Sequence, residues 1–161
     1  MKNSIFRHVY NHNQWGGLRL DQQMKIRKIS AEETWKLRQK VMWPTKIIDY
    51  VKLKDDDRGV HYGGFIENRL IAVISLFYQD KQVQFRKFAT CTNYQKQGYG
   101  SQLLQYILSE ATVLGTETIW CHARIDKVNF YQHFGLEVVG ESFKRDGENY
   151  ILMSRVAGKG T

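Results

Sequence analysis

The chain has 161 residues, of which 42% are hydrophobic and 25% charged. This composition is typical of one soluble globular domain and excludes a disordered or fibrous protein. Lysine and arginine number 24 against 16 aspartates and glutamates, giving a formal net charge of +8. The excess indicates an anionic partner, but it does not separate nucleic acid from a phosphorylated cofactor. Two cysteines, Cys91 and Cys121, are too few for a disulfide framework, so a reducing cytoplasm is expected.

The N-terminal segment differs in pattern from the rest of the chain. Residues 1–23 are polar with scattered apolar side chains, and regular patterning begins at Met24. We interpret 1–23 as an appendage, 24–157 as the domain and 158–161 as a C-terminal tail. No stretch approaches the roughly 18 consecutive apolar residues of a membrane span, and the start of the chain lacks the apolar core of a signal peptide. A membrane partner is therefore not expected.

The first half of the domain predicts a strand, two helices and a three-stranded meander. In order these are a strand over 24–29, a helix opened by a capping box at Ser30–Glu33 and stopped by Pro44, a short helix over 47–53, and strands over 60–67, 70–78 and 82–89. The run over 70–78 is nearly all apolar, which predicts a central strand covered on both faces.

The second half predicts two helices and three strands. In order these are a helix over 100–113 with an apolar stripe, a strand over 118–123, a short helix over 126–134 with Asp126 as N-cap and Gly135 as C-cap, and strands over 136–144 and 148–155 joined at Asp146-Gly147. This order predicts a mixed α/β (α+β) domain around one sheet. The strand–helix–strand portion over 82–123 implies a right-handed parallel crossover.

A glycine-containing loop, Gln95–Gly100, connects a predicted strand directly to the long helix. Such a loop turns several backbone amides and the positive end of the helix dipole toward one point, which suits a phosphate group. Leu103 stands where a dinucleotide fingerprint needs its third glycine, and Ser101 follows Gly100 without the lysine of a Walker loop. Both of those phosphate loops are disfavoured. The alternative is a simple turn that starts the helix.

A second segment, ARIDKVNFYQHFGLEVVG over 123–140, gives the loop its context. The Q-x-x-G-x-G loop followed by N-F-Y-x-x-F-G at a short helix resembles the GNAT superfamily of acetyl-CoA-dependent N-acetyltransferases, over 24–155. The LRQKV sequence of the first helix and the C-terminal hairpin are also similar to the ElaA-type branch. The resemblance implies a single domain with a central, mostly antiparallel sheet, one splayed pair of parallel strands and flanking helices. It also implies direct transfer of an acetyl group from acetyl-CoA to a primary amine of a small molecule or peptide.

The resemblance assigns roles by position. Tyr131 falls where many members place a tyrosine general acid, which can protonate the departing thiolate; the alternative is a core aromatic beside Phe130 and Phe134. Asn129 falls at a cofactor-contacting asparagine. The remaining cofactor-binding positions are Phe88, Ala89 and Thr90 along the pantetheine arm, Gln95, Lys96, Gln97, Gly98, Tyr99 and Gly100 around the pyrophosphate, and Ser101 as an additional hydroxyl.

The general base is not assigned by sequence. Many relatives carry a glutamate on the fourth strand, but Gln82–Phe88 contains no carboxylate. His61, Glu67, His122 and Asp49 are candidates, each with an alternative structural role, and a path through water is equally open. We choose His61 first because histidine can be neutral near pH 7.

Other charged groups have two interpretations. The run Asp55–Asp57 could attract a cationic amine or form a solvated loop, and we favour the solvated loop. His8 and His12 have metal-ligand spacing but no third ligand, so no metal is expected.

Rival functions use the same features. A non-catalytic acyl-CoA sensor on the same fold is supported by the missing carboxylate. A nucleic-acid binder would use the positive charge, but the sequence has no recognised motif for reading nucleic-acid sequence. A toxin-like acetyltransferase that acts on charged tRNA is a third rival function. The C-terminal hairpin could pair between subunits as a homodimer. The acceptor amine is not readable from these residues.

Overall fold

The computed structural model describes residues 23–158, which form one sheet with helices packed on it. The strand order is β1-β2-β3-β4-β5-β7-β6. The strands are β1 (Lys25–Ile29), β2 (Val60–Ile66), β3 (Arg69–Gln79), β4 (Gln82–Thr90), β5 (Thr118–Arg124), β6 (Glu137–Arg145) and β7 (Glu148–Val156). The predicted appendage, and with it the His8/His12 pair, lies outside the described residues apart from Gln23.

Three α-helices accompany the sheet: α1 (Ala31–Met42), α2 (Tyr99–Val113) and α3 (Val128–Gln132). The predicted capping box opens α1, since Ser30 Oγ accepts the Glu33 amide at 3.3 Å and Glu33 Oε2 accepts the Ser30 amide at 2.7 Å. The segment predicted as a second helix is a 3₁₀ turn, Ile48–Val51. None of the described helices is long and apolar enough to cross a membrane.

The Asp126 N-cap prediction is wrong. A 3₁₀ turn, Ile125–Lys127, precedes α3, so Lys127 stands at the cap position and no side chain caps the helix. Asp126 lies inside the turn, with its carboxylate 3.7 Å from the Arg124 guanidinium. The extra turn moves the helix start two residues beyond the position that the sequence pattern indicated.

Every neighbouring strand pair is antiparallel except β4 and β5, which are parallel and joined by α2. The mixed sheet with one parallel pair confirms the predicted architecture. β3 is an inner strand of the sheet, and its residues Ile71 through Leu76 are fully buried, as the apolar run predicted. The predicted stripe of α2 packs against this core; each such fully buried Leu or Ile side chain contributes about 1.5–3 kcal/mol. Its members are Leu103, Leu104, Ile107, Leu108 and Ala111.

Candidate functional site

The site begins with an opening between β4 and β5. The two strands pair only over Gln82–Gln84 and Thr118–Trp120, although β4 continues to Thr90 and β5 to Arg124. Beyond Gln84 and Trp120 the backbones of the two strands are not paired by hydrogen bonds. An extended chain can therefore enter between them and pair with their free polar groups.

The glycine loop sits at the end of β4, directly before α2. Gly98 is the N-cap residue with φ +87°, a left-handed conformation that L side chains rarely adopt, and no side chain caps the helix. The first helical bond runs from the Gln102 amide to the Gly98 carbonyl, at 3.0 Å. The amides of Tyr99, Gly100 and Ser101 thus have no helical acceptor, which is the arrangement that binds phosphate groups.

Space in front of the loop is open. A Cβ placed on Gly98 would meet no described atom within 4 Å, so this glycine is needed for its backbone conformation and leaves room for a ligand. Gln95 Nε2 donates to the Thr90 carbonyl and Gln97 Nε2 to the Asn93 carbonyl, both at 2.9 Å. The two glutamine side chains therefore brace the loop and leave its backbone to face outward. Lys96, also at positive φ (+59°), is exposed beside them.

Gly100 connects the loop to the end of β4. A Cβ on it would lie 3.2 Å from Thr90 Oγ1 and 3.4 Å from the Phe88 ring. This close approach brings Phe88, the buried Ala89 and Thr90 next to the start of α2. The predicted pantetheine residues and the predicted phosphate residues are thus neighbours in space.

Tyr131 lies on α3, facing the core. Its ring is 5.6 Å from that of Phe85 and 5.2 Å from that of Phe130. Burial raises the pKa of its phenol, with Cys121 as a further contributor, so the hydroxyl stays protonated. Within the described chain this hydroxyl has no hydrogen-bond partner. Asn129, two residues earlier, is exposed.

His61 lies in a buried network with β3 and the loop before β2. Its Nδ1 is 2.7 Å from Ser75 Oγ and its Nε2 is 2.8 Å from the Asp56 carbonyl oxygen. Both ring nitrogens are therefore occupied by internal partners. This geometry favours a role in holding β2 and β3 together over the base that the sequence suggested.

The other candidate bases are also engaged or remote. Asp49 is exposed and pairs with Lys52 at 2.6 Å, and Glu67 lies in the exposed β2–β3 turn. His122 Nδ1 accepts a hydrogen bond from Arg145 Nη2 at 3.0 Å. Burial, together with Arg145 and Arg86, lowers the pKa of His122, so its ring is neutral with the proton on Nε2.

The aspartate run is not a solvated loop, and this interpretation of the sequence is wrong. Asp56 is buried and forms an ion pair with the buried Arg38, and Asp55 pairs with Arg86. Only Asp57 of the three has no salt bridge among the residues described. The run therefore does not form the cationic-substrate trap that was the alternative.

Sequence reasoning missed three cations around the opening. Arg86 and Lys87 occur at a bulge in β4, where Lys87 has φ +53° and the register with β3 shifts. Arg145 reaches the same region from the end of β6, through its contact with His122. The available signal was the paired basic residues Arg86-Lys87, which break the alternation of β4.

The chain is similar to known proteins in sequence and in fold. Residues 25–136 match the model of the acetyltransferase (GNAT) family. An uncharacterised N-acetyltransferase of Bacillus subtilis, YitI, is 28% identical over 140 residues, covering 81% of this chain and 94% of its own. The crystal structure of a putative N-acetyltransferase from Lactobacillus plantarum aligns with a TM-score of 0.74 at 25% identity, covering 83% of this chain and 98% of that one.

Two further structures bear on particular predictions. A GNAT family acetyltransferase from Elizabethkingia anophelis, solved with acetyl-CoA bound, aligns with a TM-score of 0.66 at 18% identity, over 83% of this chain and 97% of that one. Escherichia coli ElaA aligns with a TM-score of 0.66 at 20% identity, over 83% of this chain and 99% of that one. At these identities both show the shared fold, and neither assigns a branch.

Proposed function

Because the chain belongs to the acetyltransferase (GNAT) family, we propose that it transfers an acetyl group from acetyl-CoA directly to a primary amine of a small molecule or peptide. The observation that carries the proposal is the uncapped N-terminus of α2, with Gly98 at positive φ, at the mouth of the β4–β5 opening. Acetyl-CoA supplies an activated thioester. The protein has to bind its phosphates, hold its arm extended and stabilise the leaving sulfur.

The residues present fit these tasks. The amides of Gln95–Gly100 and Ser101, with the Lys96 charge beside them, receive the pyrophosphate. Phe88, Ala89 and Thr90 present the free edge of β4 to an extended pantetheine arm, and Asn129 borders it from α3. No group of three or more potential metal ligands occurs in the described part of the chain.

Tyr131 acts on the leaving group. Its protonated hydroxyl, which has no hydrogen-bond partner among the described residues, is the group we assign to donate a proton to the departing sulfur. Binding both reactants in one opening supplies much of the acceleration, because the amine then attacks a positioned carbonyl. We assign His61 to support of the site through Ser75, and the proton of the attacking amine leaves through water.

We propose the cytoplasm as the compartment in which the protein acts. Cys91 and Cys121 are both free, which supports a reducing cytoplasm as the place of the reaction.

The test uses the full chain with acetyl-CoA and a panel of amines and short peptides. Released thiol and the mass of the acetylated amine are measured, and acetyl-CoA binding is followed by calorimetry. We expect binding, together with thiol release for some acceptors. Acetyl-CoA binding without thiol release for any acceptor would favour the non-catalytic sensor, and absence of binding would overturn both.

A further inference from the structure

One side of the β4–β5 opening is lined by cations, two of which form no ion pair with a carboxylate among the described residues. We define the cationic cleft as Arg86 and Lys87 on β4, His122 on β5 and Arg145 at the end of β6. Arg86 and Lys87 come just after the last β4 residue paired with β5, and His122 comes just after Trp120 on the opposite strand. The cleft therefore begins where the two strands separate, immediately before the segment Phe88–Thr90.

Arg145 is the most available cation of the cleft. Its guanidinium lies 5.3 Å from the centre of the Phe143 ring and 5.6 Å from that of Tyr150, and Nη2 donates to His122 Nδ1. Glu148, opposite it in the β6–β7 register, is held by Arg124 at 3.1 Å. In the part of the chain described, no carboxylate lies within 4.0 Å of Arg145.

Lys87 is the second cation without a carboxylate within 4.0 Å, again among residues 23–158. It is half-buried at the bulge. Burial is the main factor that lowers the pKa of its amine, and the positive charges of Arg38, Arg86 and Arg145 lower it further. The negative charge of Asp146 raises this pKa. The surroundings of Lys87 are thus positive on balance, because Arg38 and Arg86 outweigh Asp146.

His122 contributes a hydrogen-bond donor. Because Arg145 occupies Nδ1, the proton of the neutral ring is on Nε2. Aromatic rings border the histidine, with Trp120 at 5.3 Å and Phe143 at 5.0 Å between centroids. Within residues 23–158 the cleft therefore combines two cations without a carboxylate partner, one neutral donor and apolar walls.

We propose that the acceptor is a small primary amine that also carries an anionic group, a carboxylate or a phosphate, and that Lys87 and Arg145 bind this group. This inference deepens the proposed function and rests on it. An anion in the cleft would replace water around two cations that have no carboxylate within 4.0 Å among the described residues, and charge-assisted hydrogen bonds of this kind are among the stronger ones in proteins. An acceptor whose only charge is its ammonium group would be repelled by the same residues.

Matched acceptors test the proposal. The pairs are phenylalanine with phenethylamine, β-alanine with propylamine, and phosphoethanolamine with ethanolamine; the first two probe carboxylate and the third phosphate. We expect kcat/KM to be at least about tenfold higher for the anionic member of one or more pairs. A factor of this size corresponds to one charge-assisted hydrogen bond. We also expect its KM to rise with ionic strength. Equal kcat/KM within all three pairs would overturn the proposal.

Variants localise the effect. Arg145→Gln and Lys87→Gln should each reduce the preference for the anionic acceptor about tenfold by raising its KM, with acetyl-CoA affinity unchanged. Lys144→Gln is the control, because Lys144 is adjacent on β6 but its side chain points to the opposite face. An unchanged preference in both cleft variants, or an equal loss in Lys144→Gln, would contradict the assignment.

A binding measurement separates failure of this inference from failure of the proposed function. Phenylalanine and phosphoethanolamine are titrated calorimetrically into the protein with CoA present, in wild type and Arg145→Gln. Binding that weakens in the variant supports the cleft, even if no thiol is released with any amine. Absence of thiol release would instead remove the transferase proposal. Thiol release with neutral amines but no binding of either anionic probe would overturn the cleft alone.

Discussion

Arg38 of α1 and Asp56 form a bidentate ion pair, with Nη1 2.8 Å from Oδ2 and Nη2 3.0 Å from Oδ1. Arg38 also donates to Ser75 Oγ at 2.8 Å, and Ser75 in turn contacts His61. The pair thus ties the helix to the loop before β2 and to the sheet. It fixes the side of β3 that lies next to the β4 bulge.

Breaking this pair should be costly. Arg38→Met leaves the Asp56 carboxylate buried without its main partner, so we expect a loss of about 3–5 kcal/mol in the free energy of unfolding. Urea denaturation followed by circular dichroism measures it. Glu117→Gln, which breaks the exposed pair with Lys81, is the control and should change stability little. Similar losses in the two variants would contradict the burial argument.

The same carboxylate should make stability depend on pH. Burial by itself would raise the pKa of Asp56, but hydrogen bonds from Arg38, the Leu53 amide and Trp35 lower it below its usual value. A lowered folded-state pKa gives stability that is present above the unfolded pKa, about 3.9, and is lost as the pH falls through the folded one.

The comparison is between wild type and Asp56→Asn across pH 7 to pH 2.5, by urea denaturation at each pH. The variant should be less stable at neutral pH, and the difference should shrink below about pH 4, because the carboxyl of the unfolded wild-type chain binds its proton at a higher pH than that of the folded chain. A difference that stays constant to pH 2.5 would show that Asp56 does not titrate as argued.

Gly98→Asp should abolish acetyl-CoA binding, because it places a carboxylate against the phosphate site. Gly115→Asp provides a matched control: Gly115 has φ +79° at the other end of α2, and a Cβ there also meets no described atom within 4 Å. Both substitutions carry the same backbone cost, about 1–2 kcal/mol for a left-handed residue. Calorimetry should show lost affinity only in Gly98→Asp; unchanged affinity there would remove the loop assignment.

Tyr131→Phe should lower kcat about 100-fold and leave acetyl-CoA affinity unchanged, because it removes the proton donor for the leaving sulfur and keeps the ring packing. Tyr62→Phe is the control. It also removes a buried hydroxyl of raised pKa, one that has no hydrogen-bond partner within the described part of the chain. Its turnover should equal that of wild type. If turnover of Tyr131→Phe equals that of wild type, Tyr131 has only a packing role in the core.

The order and type of the elements could be predicted because local signals agreed with the final packing. The apolar run of β3, the capping box of α1 and the Asp146-Gly147 turn each act over a few residues. The glycine loop was visible for the same reason. Gly98 adopts the left-handed conformation that its position before a helix suggested.

What could not be predicted depends on contacts between distant residues. Asp56 looks solvated within its aspartate run, and only the approach of Arg38 from α1 makes it a buried anion. His61 looked suitable as a base, but Ser75 and the Asp56 carbonyl occupy its nitrogens in the folded chain. The cationic cleft joins β4, β5 and β6, and no local pattern brings Lys87 and Arg145 together.

The short β4–β5 ladder has a consequence for solubility. A sheet ordinarily has two edges, but here the pairing stops at Gln84 and Trp120 and leaves two more inside the sheet, facing each other. Unpaired strand edges are templates for pairing with other chains. An extended ligand in the opening covers both at once, so the ligand-free protein should be the more aggregation-prone form.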